Sequence, residues 1–165
     1  MLLKRLAIPL AVGVVVVAIA IIVILAGTKG SHLQLDIRII KARTGALDEN
    51  SSAAVLDFRV HDTSDVPFMV GEVQVQAIRP DGTEMDGQVI SRADLNSLLQ
   101  YNRFLGNQYN PVLIIRDRIR PQEEFDRMVA ARFDLAQKDL DACRALRLRL
   151  EDADGAWFEG DYKLH

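Results

Sequence analysis

A chain of 165 residues with a formal net charge of −3 has room for one domain with its own core once its apolar N-terminal stretch is set aside. Lys4 and Arg5 precede that stretch and every acidic residue follows it, so the remainder holds 18 basic against 23 acidic residues, about −5. That balance repels a polyanion, no basic stripe carries interleaved aromatics, and both facts argue against nucleic acid as the main partner.

Residues 1–5 form a short tip, expected to be cytoplasmic. From Leu6 to Ala26 the chain reads LAIPLAVGVVVVAIAIIVILA with no charged side chain. Such a run rises roughly 31 Å as a helix, against a bilayer core of ~30 Å. Residues 6–27 are therefore predicted to form a single transmembrane helix in contact with membrane lipid. A cleaved signal peptide has an apolar region of only about 7–15 residues, which favours a retained signal-anchor. Thr28 stands where a lipoprotein would need its lipid-bearing cysteine. Residues 28–32 (TKGSH) are a polar tether. Lys4, Arg5 and the free amine favour a cytoplasmic N-terminus, and long domains cross largely regardless of nearby charge. The expected localisation is the cell membrane, single-pass, with the C-terminal domain extracytoplasmic.

From residue 33 to 165 the apolar period becomes two. Leu33, Leu35, Ile37 and Ile39 alternate with polar residues, as do Leu56, Phe58 and Val60, and each run predicts a strand with one buried face. A polar turn is expected over 45–51 and a second over His61–Asp65, leading to Pro67. Met69, Val73, Val75 and Ala77 alternate in a third strand, and the turn Arg79-Pro80-Asp81-Gly82 returns into a shorter one at about 85–90. Ser91-Arg92-Ala93-Asp94 has the form of a capping box, and Leu95, Leu98 and Leu99 share a helical face, so a helix is predicted at about 91–103. Gly106 ends it.

A strand is expected over about 112–119, carrying Arg116, Arg118 and Arg120 on one face, with a turn at Arg120-Pro121-Gln122-Glu123. Val129, Ala131 and Phe133 alternate in the next strand. A helical turn over 137–143 leads to Leu146, Leu148 and Leu150, and Asp154-Gly155 closes a hairpin to a last strand with Trp157, Phe158 and Tyr162. The predicted fold class is mainly β: an immunoglobulin-like antiparallel β-sandwich of 7–8 strands with one inserted helix, preceded by a single transmembrane helix.

Catalytic motifs are absent from the sequence. His32, His61 and His165 have no second histidine or cysteine at a ligand spacing, and no phosphate loop, nucleophile elbow or metalloprotease signature occurs, so no catalytic residue, metal or cofactor is predicted. Asp62 and Asp65 fit no calcium loop and read as turn formers. The single cysteine, Cys143, permits no intrachain disulfide and reads as a small buried hydrophobe. Candidate partner-binding residues are Leu95, Leu98, Leu99, Tyr101, Phe104 and Tyr109 around the helix, together with Arg116 and Arg118. The leucines read first as a stripe packed on the sandwich, covering a sheet edge or one end of it, and only otherwise as part of an apolar patch for a partner or the membrane surface. The arginines read first as a solvated strand face with cross-strand ion pairs, as do Arg147 and Arg149, and second as a dock for an acidic partner or lipid head groups.

The segments DFRVHDTSDVPF (57–68) and IRPQEEFDRMVAARFDL (119–135), taken with the strand pattern, resemble uncharacterised bacterial proteins with one N-terminal anchor and an immunoglobulin-like sandwich. More broadly they are similar to late-embryogenesis-abundant type 14 and water-stress-response domains, with His61-Asp62 where those domains have an Asn-Pro-type turn. The resemblance implies a binding or structural role and carries over no catalytic residue. The leading expectation is a membrane-anchored, non-enzymatic interaction or accessory module with a protein partner in a membrane complex. The alternatives are a stress-protective domain acting on membranes or proteins, and a hydrolase with a motif-free carboxylate site.

Overall fold

The computed structural model describes Val17 and residues 33–164. The predicted tip, transmembrane helix and tether lie outside the described residues apart from Val17, as do His32 and His165. Among the described residues no helix is long and apolar enough to cross a membrane. The chain divides into two compact units, Met1–His32 and Leu33–His165.

The second unit is mainly β. Its elements are β1 (Leu35–Ala46), β2 (Ser52–Asp62), β3 (Phe68–Ile78), β4 (Glu84–Val89), helix α1 (Arg92–Tyr101), a 3-10 turn (Arg103–Leu105), β5 (Arg118–Ile119), β6 (Glu124–Phe133), helix α2 (Gln137–Asp141), β7 (Ala145–Asp152) and β8 (Trp157–Lys163). Paired strands are antiparallel in the order β1-β2-β6-β4-β3-β7-β8, with β5 beside the start of β3. β4 joins two layers: Glu84–Gly87 pair with β3, and then Gln88 and Val89 pair with β6. Ile37 and Ile39, Leu56 and Phe58, Val75, Val129, Phe133 and Leu148 fill the space between the layers. At ~1.5–3 kcal/mol for each large side chain, this burial is the main drive to fold. Where β8 crosses β1 the backbones nearly touch, since a Cβ on Gly160 would lie 2.4 Å from the Ile37 carbonyl oxygen.

Four expectations need correction. The stretch 112–119 is not a continuous strand. Val112 makes one bridge to Met128, a turn follows at 114–117, and only Arg118 and Ile119 pair with β3. Arg116 and Arg118 therefore do not share a strand face. β1 runs to Ala46 through a register shift between Ile39 and Lys41, so the first turn begins only at Leu47. In β3 a register shift between Val70 and Glu72 moves Val70 into the core and leaves Met69 outside. Two helices are inserted where one was predicted, although α2 falls within the helical turn foreseen at 137–143.

Half-burial also fails in the middle of the sheet. Ser52–Phe58 of β2 and Met128–Ala131 of β6 are buried on both faces, because α1 and the 3-10 turn cover the outside. Cys143 is buried at the end of α2, its Sγ 3.4 Å from the Asp139 carbonyl oxygen, and burial raises its thiol pKa.

Candidate interaction surface

α1 starts where Ser91 caps it, the Ser91 hydroxyl accepting from Asp94 N–H at 3.2 Å. Leu95 and Leu105 are fully buried in a second apolar cluster with Ala53, Val55, Val112, Met128 and Ala130, and Leu98 and Leu99 pack at its margin. The leucine stripe thus docks the helix on the outer face of β2 and β6. Small residues on that face, Ala53 and Ala130, let the helix approach closely.

The chain leaving α1 is fixed by buried polar groups. Arg43 and Asp57, on adjacent strands, form an ion pair of 2.8 Å with side chains only 8% and 6% exposed. Arg43 Nη1 also donates to the carbonyl oxygens of Leu105 and Asn107, the latter at 2.9 Å. Asn110 Nδ2 donates to the other Asp57 oxygen at 2.9 Å, and Asn102 Nδ2 donates to the Ala46 carbonyl at 2.8 Å. Buried charges persist only when paired and hydrogen-bonded in this way. The network pins residues 102–110 to the sheet.

On that fixed base two aromatics stand out into solvent: Tyr101 is 89% exposed and Phe104 91%. Tyr109, 61% exposed, lies over the Arg43 guanidinium at 4.9 Å from its ring centre. A cleft of about 640 Å³ on one side of the ridge is lined by Leu47, Leu98, Tyr101, Phe104 and Gln137, among others. The cleft on the other side, about 670 Å³, gathers the amides Asn96, Gln100, Asn107 and Gln108 with Arg103. Amide side chains can both donate to and accept from a peptide backbone. Exposed aromatics beside them supply apolar contact at small entropic cost.

The structure therefore divides the sequence-predicted site. Leu95 is core, Leu98 and Leu99 are half-buried, Tyr101 and Phe104 form the ridge, and Tyr109 lies on Arg43 in the loop that follows. Arg116 and Arg118 lie elsewhere, beside the first residues of β3. The ion pairs expected for Arg116 and Arg118 are not among those formed by the described residues, whereas Arg147 and Arg149 do engage Glu159, and Arg147 also Glu84 and Asp161. Those carboxylates raise the Arg147 pKa, its hydrogen bond to Asp161 most of all. Sequence reasoning missed Arg43, Asp57 and the amide cleft. The available signal was the run of apolar residues at both parities in 53–56 and 128–131, which marks a face covered from outside.

Among the described residues, no group of three or more His, Cys, Asp and Glu side chains is placed to hold a metal ion. Asp62 is wholly buried and accepts from the Ser64 amide and hydroxyl at 2.9 and 2.6 Å, as a turn former does. No family model matches the chain, and no curated protein does. Among solved structures it is similar to the archaellum periplasmic stator protein FlaG from Sulfolobus acidocaldarius, at 10% identity and a TM-score of 0.37, covering 78% of this chain and all of that one. It is also similar to the FlaF and FlaG stator complex of the same organism (11%, TM-score 0.36, 76% of this chain and 87% of that one). A third similarity is to the putative ApaA protein from Bordetella pertussis (12%, TM-score 0.35, 80% and 91%). Similarities of this size assign no function.

Proposed function

We propose that this chain is a single-pass, membrane-anchored interaction module whose immunoglobulin-like sandwich, outside the cytoplasm, holds a protein partner on the ridge formed by α1 and the 3-10 turn. The observation that carries the reading is the pairing of near-total exposure at Tyr101 and Phe104 with a buried Arg43–Asp57 pair that holds the backbone just beyond them, at Leu105 and Asn107. A large aromatic left in water loses the apolar burial that would stabilise it, and a ring with only two side-chain torsions gives up little freedom when a partner covers it. The strand order supports the immunoglobulin-like assignment: β1-β2-β6 and β3-β7-β8 correspond to the two layers of that sandwich, with β4 as the strand between them. The uncharged run at 6–26 supports the anchor. The role is non-enzymatic, that of an accessory subunit.

The test compares the full-length chain with the double variant Tyr101→Ser/Phe104→Ser, each purified from its own membranes in mild detergent and the co-purifying proteins identified. A defined partner recovered with the native chain and lost with the variant is the expected result. Recovery of both only as isolated monomers, or of the same partners with both, overturns the reading.

A further inference from the structure

Where the described chain begins, Gln34 accepts from Thr63 N–H at 2.9 Å, and Gln122 Nε2 bonds the carbonyls of Thr63 and Ser64 at 3.1 Å each. The chain therefore enters the domain beside the Arg120–Glu123 turn, from which β5 and the 114–117 turn extend along β3. The 114–117 turn is held on both sides. Asp117 N–H donates to the Ile114 carbonyl at 3.1 Å, Arg116 N–H donates to Val70 at 2.7 Å, and Val70 N–H donates to Asp117 at 3.0 Å. Arg116 has φ 73°, the third-position geometry of a type II turn that glycine usually fills. The consequence is an apolar tip in water: Ile114 is 44% exposed, Ile115 62%, and neighbouring Met69 40%. Around the tip, the exposed side chains of Arg116, Arg118 and Arg120 are matched with no carboxylate among the described residues. Asp117, the acid inside the turn, is occupied by Ile114 N–H and by Arg127 at 3.9 Å. Asp65 and Asp154 are exposed on adjoining turns, and the Glu123 carboxylate accepts from the Arg120 backbone N–H at 3.0 Å rather than from its guanidinium.

We infer that this end of the domain, the Ile114–Ile115 tip with Arg116, Arg118 and Arg120, is a docking surface for an anionic lipid bilayer. The inference rests on the anchor proposed above. The tether of five residues, 28–32, extends at most roughly 18 Å. β1 alone, at 12 residues, is about 40 Å long. An anchor ending at residue 27 would therefore hold Leu33 no farther than that tether length from the head groups, and the turns beside Leu33 share that reach. Isoleucines entering the acyl boundary with arginines at head-group level form the arrangement by which peripheral surfaces bind anionic membranes.

The test places the full-length chain in nanodiscs of phosphatidylcholine with or without phosphatidylglycerol. A nitroxide goes on Ile115→Cys, with Thr83→Cys at the opposite end as reference; Cys143, 1% exposed, stays unlabelled. The expected result is a several-fold loss of water-soluble relaxant access at 115 relative to 83 in anionic discs. That loss should be reversed by Arg116→Gln/Arg118→Gln/Arg120→Gln in the same protein. Equal access at 115 and 83, in a chain that stays with the discs, overturns the docking surface and leaves the anchor standing. Protection that persists in detergent, or survives loss of the three arginines, shows a protein contact instead and also overturns it. Release of the chain from membranes at alkaline pH removes the anchor, and the proposal with it.

Discussion

Arg43 and Asp57 show how far a single residue's role depends on what covers it. Asp57 reads in the sequence as an outward polar residue of an alternating strand, Arg43 lies past the alternating run that ends at Ile39, and both belong to paired strands. The loop that buries them arrives from residues 102–110, some fifty positions later than Asp57, so strand period alone does not reveal the pairing. Removing one partner leaves a buried charge unmatched, and Arg43→Ala or Asp57→Ala should each cost about 3–5 kcal/mol in urea unfolding. The double change Arg43→Met/Asp57→Leu should cost less than either alone, because no orphan charge remains. Arg116 gives the opposite expectation. A side chain at φ 73° is strained, so Arg116→Gly should hold or raise stability, by up to ~1 kcal/mol net of glycine's entropy, in the same measurement.

Among the elements, α1 was legible and β5 was not, for identifiable reasons. Ser91, Asp94 and the leucines at 95, 98 and 99 all specify one helix in one register, and the structure places it at Arg92–Tyr101. In the stretch 112–119 the apolar residues alternate as a strand would. Leu113 is buried and Ile115 exposed, however, because the 114–117 turn redirects the chain after two residues. Local alternation carries no mark of a turn whose third residue is an arginine. The two faces of α1 and its extension should respond differently to mutation. Leu95→Ala, which opens a cavity under the helix, should cost about 2–5 kcal/mol. Tyr101→Ser/Phe104→Ser should stay within ~0.5 kcal/mol of the native chain by the same unfolding curves, since neither ring packs inward.

At the scale of the whole molecule, period two and the turn residues Pro67, Gly82 and Gly155 gave away a mainly β domain, while the order of the strands depended on contacts far apart in sequence. Gly160 illustrates the point: nothing in the local strand pattern marks it, yet it lets β8 pass over Ile37. Gly160→Ala should destabilise by about 1–3 kcal/mol, seen as a lower Tm. Acid should act through Asp126, whose carboxyl the Arg59 hydrogen bond holds below its ordinary range. A depressed folded pKa gives stability that is complete above the unfolded value near 3.9 and fades as pH falls through the folded one. Tm measured from pH 6 to pH 2 should therefore fall more steeply for the native chain than for Arg59→Gln, and the two should converge at the acid end. β1 receives the incoming chain at Leu35, and its far end carries Arg43 and Ala46, the residues that grip the aromatic ridge. Were the proposed anchor and partner to pull against each other, tension would run along that strand, so its bonds to β2 would be sheared together rather than peeled one at a time, and the joint would resist pulling far better than the same bonds opened from one end.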